Sequence, residues 1–163
     1  MISDSYKELL STLAIPTVSL GYFTIHIYDV EELEEAQIGY SVDPSGTSLL
    51  DESPGSWQRD WVVIGYEDGS GDPIFTGSEA DGFPVYTAMH GTGVWEPSLI
   101  ASGVRNFATA MREIARVAEG RENPVELEAN PIKSEERNKV LERIQRENIG
   151  IDISFWENWL TSG

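Results

Sequence analysis

The stretch that most constrains the fold is WVVIGYEDGSGDPIF, the fifteen residues from Trp61 to Phe75. Val62, Val63 and Ile64 form a β-branched run of the kind found in strands covered on both faces. Gly69 and Gly71, set among Asp68, Ser70 and Asp72, supply the backbone freedom of a tight connection, and Pro73 to Phe75 open a second strand. The chain must therefore build a sheet with a buried strand at its heart, and nothing in this stretch carries a catalytic apparatus.

Around this centre the periodicity alternates between two and three-to-four residues. Tyr6, Leu9, Leu10 and Leu13 recur at helical spacing behind the capping candidates Ser3 and Asp4, and Pro16 ends the pattern. Tyr22 to Tyr28 alternates, with Phe23, Ile25 and Ile27 on one face and Tyr22, Thr24, His26 and Tyr28 on the other. Asp29 is placed to cap a helical turn through Glu35, and the Ser, Pro, Gly and Asp content of residues 41–56 predicts an exposed loop. Residues 73–76 and 83–88 read as short strands completing an antiparallel meander, with HGTGVW (residues 90–95) as a loop tip.

Helices follow the strands. Ser102 is a candidate cap for an apolar stripe of Val104, Phe107, Ala108, Met111 and Ala118 that runs to Gly120. Val140, Leu141 and Ile144 sustain a helix from Ser134 to about Glu147, and Asp152 begins a last turn or two with Phe155, Trp156, Trp159 and Leu160. Strands first and helices later give an α+β class rather than a doubly wound parallel sheet. A chain of 163 residues with 40% hydrophobic content is expected to form a single domain over 1–163, with a core at about 20–117 and a helical extension over 118–163 packed on it.

Charge narrows the partners. The net charge is −17, and residues 1–104 hold 17 acids against 2 bases, a balance of −15, whereas residues 105–163 hold 11 against 9, a balance of −2. Such a field repels nucleic acid and anionic membranes and steers a basic protein partner toward the acidic part. The competing explanation is solubility alone. The chain has no cysteine, which excludes disulfides and thiolate metal sites and leaves the cytoplasm as the expected compartment. No apolar run approaches the ~20 residues that span a bilayer, and the acidic start lacks the positive charge of a secretory signal.

Specific chemistries can be weighed residue by residue. Asp68, Ser70, Asp72, Thr76 and Glu79 fall at EF-hand spacing, but Pro73 stands where that loop turns on glycine and strands flank the segment, so no metal site is expected. Asp72 with Asp81, or Glu67 with Asp68, could form a carboxylate pair for hydrolysis, although an acidic turn ordinarily holds solvated side chains bonded to their own backbone. His26 and His90 are the only histidines, too few for a multi-histidine centre. The expectation is a chain without catalysis or cofactor.

Three blocks together resemble the SUKH superfamily, which includes fungal regulators of cell-wall glucan synthesis and bacterial proteins encoded near secreted toxins. They are YFTIHIYDVEELEEAQIGY, WVVIGYEDGSGDPIF with its "IG" pair and "GD" step, and PVYTAMHGTGVWEPSLIASGVRNFATAM. The resemblance covers roughly residues 20–112, and the N-terminal portion is shorter than is usual in the family. It implies a curved, mostly antiparallel sheet flanked by helices, and a protein-binding role without catalysis. Bacterial members are often immunity proteins that bind a toxin, frequently a basic nuclease domain; regulation or scaffolding without a toxin is the alternative. On that basis the binding face combines the cluster Glu31, Glu32, Glu34 and Glu35, or the turn with Asp68 and Asp72, with an aromatic such as Tyr66 or Trp95. The rival reading is that the glutamates only solvate a helical turn.

Overall fold

The structure is a computed structural model that describes residues 2–91 and 93–162. Helix α1 (Asp4–Leu13) leads into strands β1 (Val18–Leu20) and β2 (Phe23–Ile27), then a 3-10 turn (Val30–Glu32) continuous with α2 (Leu33–Ala36). A long loop precedes β3 (Trp61–Glu67), β4 (Pro73–Gly77), β5 (Val85–Met89) and β6 (Glu96–Ala101). Four helices finish the chain: α3 (Val104–Ala118), α4 (Pro124–Ala129), α5 (Ser134–Glu147) and α6 (Ser154–Ser162).

The strands lie in the order β1-β2-β3-β4-β5-β6, every neighbouring pair antiparallel, so the sheet is an open meander. The α+β class expected from the sequence is the observed one. The Val62–Ile64 run lies in a middle strand and is buried, as its composition requires. The register slips by one residue between Val63 and Gly65 in β3, and again in β6, where Ile100 is the extra residue between the partners of Val85 and Tyr86. Such bulges bend a strand and sharpen its twist.

One face of the sheet carries the helices. Leu20, Ile25, Val62, Ile64, Ile74, Val85 and Ile100 meet Tyr6 and Leu13 of α1, Phe107, Met111 and Ile114 of α3, Val140 and Ile144 of α5, and Trp156 and Leu160 of α6 in one continuous core. Phe107, Met111 and Ile114 are fully buried, each worth about 1.5–3 kcal/mol. The C-terminal segment thus belongs to the same core as the strands, and the Trp156 indole N–H donates to the Ile100 carbonyl at 2.9 Å. Ser3 caps α1 by accepting the Tyr6 N–H, and the Tyr6 hydroxyl is hydrogen-bonded to Thr76 inside the sheet. Arg121 ties three helices together, donating to the Val117 and Asn130 carbonyls and pairing with Glu136 at 3.0 Å.

Several local expectations change. The segment 96–101, for which no element was expected, is the edge strand β6, where Pro97 is tolerated because only one side of the strand must pair. The fifth strand begins at Val85 rather than at residue 83, because Phe83 sits in a left-handed turn with φ 56°. Ser102 does not cap α3. The capping position is Gly103, and the Ser102 N–H and hydroxyl instead donate to the buried Asn148 side chain, joining β6 to the end of α5. Strand β1 and helix α4 lie where no element was expected; in α4 Asn123 accepts the Glu126 N–H and Pro124 opens the first turn.

Candidate protein-binding face

The opposite face of the sheet is aromatic. His26 of β2 and Tyr66 of β3 are cross-strand partners with ring centroids 5.1 Å apart, and Tyr28 completes a triangle with both at 5.2 and 5.7 Å. Trp61, Val63, Phe75 and Tyr86 continue the layer across β3, β4 and β5, with Phe75 stacked on Tyr86 at 5.6 Å. The β3 bulge creates this continuity. Odd-numbered Trp61 and Val63 face this side, and the extra residue at the slip brings even-numbered Tyr66 round to join them. Beside Tyr66 in the same strand, Gly65 leaves room for β2: a Cβ there would collide with the His26 carbonyl oxygen.

Loops supply the rest of the layer. Tyr40 packs against Trp57 at 4.9 Å and Trp95 at 5.6 Å, and His90 stacks flat on Trp95 at 4.1 Å. Trp57 is buried, its indole N–H donating to the Trp61 carbonyl, so it is a core residue of this layer. Trp95 is half-buried, tied down by its own N–H to the Gly55 carbonyl at 2.8 Å. None of the residues in this second cluster lies in a helix. His26, Tyr28, Tyr40, Tyr66, Tyr86 and Trp95 remain half-exposed.

A side chain not singled out from the sequence fixes the loop to the sheet. Gln37, directly after α2, accepts the Val63 N–H at 3.0 Å and donates to the Val63 carbonyl at 2.9 Å and the Leu33 carbonyl at 2.7 Å. Its amide takes the place of a neighbouring strand at the residue where β3 is about to bulge. The Gln37 carbonyl in turn accepts the Tyr40 N–H, which sets the first loop aromatic over the face.

The acidic residues divide into structural and free groups. Glu32 accepts the Asp29 N–H as part of a capping box, and Glu34 pairs with Lys7 at 3.1 Å and accepts the Ile2 N–H. Partial burial pushes the Glu34 carboxyl upward, but Lys7 and the Ile2 N–H outweigh it and hold it below the usual range. Glu31 and Glu35 are exposed and their carboxylates make no hydrogen bond among the described residues, while Leu33 between the pairs is buried. The Asp68 carboxylate accepts the Thr24 N–H at 2.7 Å and so locks β2 to the turn. Asp72 is half-buried, and no described hydrogen bond reaches its carboxylate.

The carboxylates also reach the aromatic face. Desolvation, then the charges of Tyr66, Tyr40 and Glu32, raises the Tyr28 phenol; desolvation, then Asp72, raises Tyr40. Of the residues expected to bind a partner, Tyr66, Trp95, Asp72 and Glu32 therefore share one aromatic surface or its margin. Glu34 and Asp68 are committed to the fold. Nine of the eleven bases lie at residue 105 or beyond, in the helical layer on the other side of the sheet.

The alternative chemistries lack a converging geometry. Thr76 is buried in β4 and bonded to Tyr6, and Glu79 lies past the far end of that strand from Asp68 and Asp72, so the EF-hand spacing does not form a ligand cage. No cluster of three or more metal-ligating side chains occurs among the described residues. Asp72 and Asp81 lie beyond opposite ends of β4, and Glu67 spends both oxygens on the Gly69 and Ser70 N–H groups of its own turn. No helix among the described residues is long and apolar enough to cross a membrane. No family model, curated protein or solved structure matches the chain.

Proposed function

We propose that this protein is a SUKH-like immunity protein that neutralises a basic toxin domain, frequently a nuclease in such systems, by binding it with the aromatic face of its sheet. The observation that carries this reading is a helix-free layer of half-exposed His, Tyr and Trp side chains with Asp72, whose carboxylate accepts no hydrogen bond among the described residues, at its margin. Tyr and Trp bury a large area at small entropic cost and dominate the energetics of interfaces, so a half-exposed set of them on a rigid sheet is a preorganised anchor. The carboxylates add steering. A nuclease built to hold polyanions offers Lys and Arg that pair with Asp and Glu, and the acidic sheet side favours that approach over the helical side.

Co-expression with the toxin encoded beside the gene tests the reading. Restored growth is the expected result. Absence of protection against every toxin encoded in the neighbourhood would refute immunity.

A further inference from the structure

At the tip of the β5–β6 hairpin, His90 is placed on the aromatic face by ring stacking rather than by hydrogen bonds. Its imidazole lies flat on the Trp95 indole, with centroids 4.1 Å apart and planes inclined by 11°. Trp95 itself is fixed: its backbone N–H donates to the Gly55 carbonyl, and Tyr40 and Trp57 pack against its ring at 5.6 and 5.2 Å. His90 is exposed, and its ring nitrogens make no hydrogen bond or ion pair among the described residues. Because Trp57 is buried and His90 exposed, the imidazole is the outer member of the stack. A Cβ added at Gly91 or Gly93 would meet no atom within 4 Å, so the backbone beside His90 lacks packing that would hold it in place.

The stacked ring shows what the outer side of this indole accepts. A planar nitrogen-bearing group lies on it, and little else keeps that group there. Guanidinium has the same flat shape, is weakly hydrated and stacks on aromatic faces, whereas an ammonium is a strongly hydrated point charge with no plane to stack. The surroundings favour a cation. Asp72, whose carboxylate accepts no hydrogen bond among the described residues, is near enough to Tyr40 for its charge to raise the phenol, after the larger effect of burial. An arginine exchanged for the imidazole keeps the stack and brings a permanent positive charge toward that carboxylate.

We propose that the outer side of the Trp95 indole is a seat for an arginine guanidinium, occupied in the free protein by the His90 imidazole, and that an arginine of the partner displaces His90 and stacks in its place. The inference rests on the proposed binding of a basic domain to the aromatic face, and it names the side chain that the face selects. Trp95 is then a contact of the partner and His90 its competitor. Two rings of one stack therefore act on binding with opposite sign.

N-acetylargininamide and N-acetyllysinamide, titrated into the free protein, probe the seat through the Trp95 indole N–H resonance, which Trp95→Phe identifies. The arginine probe is expected to shift that resonance saturably, and the lysine probe to bind about 3-fold or more weakly. His90→Ala, shown to be folded by an unmoved Trp156 resonance, should bind the arginine probe about 2- to 10-fold more tightly than wild type, the worth of one aromatic stack. In calorimetry with the toxin domain, His90→Ala should likewise bind more tightly and Trp95→Ala more weakly. No saturable shift with the arginine probe, equal affinity for the two probes, or unchanged or weakened binding in His90→Ala would overturn the inference. A toxin domain that binds the protein but is indifferent to both Tyr66→Ala and Trp95→Ala would overturn the proposed face instead, and the probe titration would still decide whether Trp95 seats a guanidinium.

Discussion

Replacing Gln37 with Leu isolates the role of one amide in holding the aromatic face together. Leu has a similar volume and leaves no large void, so the dominant loss is polar. The Val63 N–H and C=O both lose their partner, and Val63 is only 1% exposed. Each unmade buried backbone bond costs about 1–3 kcal/mol, giving about 2–6 kcal/mol, and burial of the added apolar surface returns about 1 kcal/mol. A destabilisation of about 3 kcal/mol is expected, equivalent to about 6–12 °C in Tm for a domain of this size. Urea unfolding followed by tryptophan fluorescence should show a lower midpoint with an unchanged slope. Gln37→Glu sharpens the test. Its carboxylate still accepts from Val63 but donates nothing, and protonation restores one donor, so its deficit relative to wild type should shrink as pH falls through the carboxyl range. A loss below about 1 kcal/mol in Gln37→Leu, an ordinary value for any substitution, would refute the ladder role assigned to this side chain.

Three further outcomes follow from the same geometry. Burial raises the Tyr6 phenol from 10.0 to about 12, against the opposing bond to Thr76; the folded state therefore retains a proton that the unfolded state releases, stability falls between those pH values by about 3 kcal/mol, and Tyr6→Phe should flatten that alkaline decline in urea titrations. Arg121→Met strands the Asn130 and Val117 carbonyls beneath α4 and α5 and should cost about 2–4 kcal/mol by thermal unfolding, more than Lys139→Met in an exposed ion pair on α5. Glu31→Lys with Glu35→Lys should change stability by no more than about 0.5 kcal/mol in urea, whereas Glu34→Lys, which places a cation against Lys7 and the Ile2 N–H, should lower the midpoint clearly.

The strongest local patterns were legible from the residues themselves. The Val62–Ile64 run announced a buried strand, the alternation from Tyr22 to Tyr28 fixed the faces of β2, and α5 ends at Glu147 where its apolar periodicity stops. Strand β6 was concealed because Pro97 signals a turn unless the strand is known to be an edge, which is a tertiary fact. Strand β1, at three residues, is too short for alternation to register. The α4 cap was present as Asn123-Pro124 with Glu126 following, and these residues were sufficient to find it.

The candidate face was legible only in part. Tyr66 and Trp95 could be named as aromatics near turns, but their union with Tyr28, Tyr40 and His26 depends on a bulge that reverses the side-chain phase of β3. The same limit hid Gln37, whose partner lies 26 residues away. The glutamate cluster was misleading as a unit: its even spacing of charge conceals that Glu32 and Glu34 serve the backbone and Lys7 while Glu31 and Glu35 stay free.

The central claim, that the aromatic side of the sheet grips a basic protein, is tested most directly by calorimetric titration of the toxin domain against which the protein protects in co-expression. Folded Tyr66→Ala and Trp95→Ala variants, verified by circular dichroism, should each bind about 30-fold or more weakly than wild type, as interface hot spots do. Wild-type affinity in both variants would contradict the claim and place the contact elsewhere on the molecule.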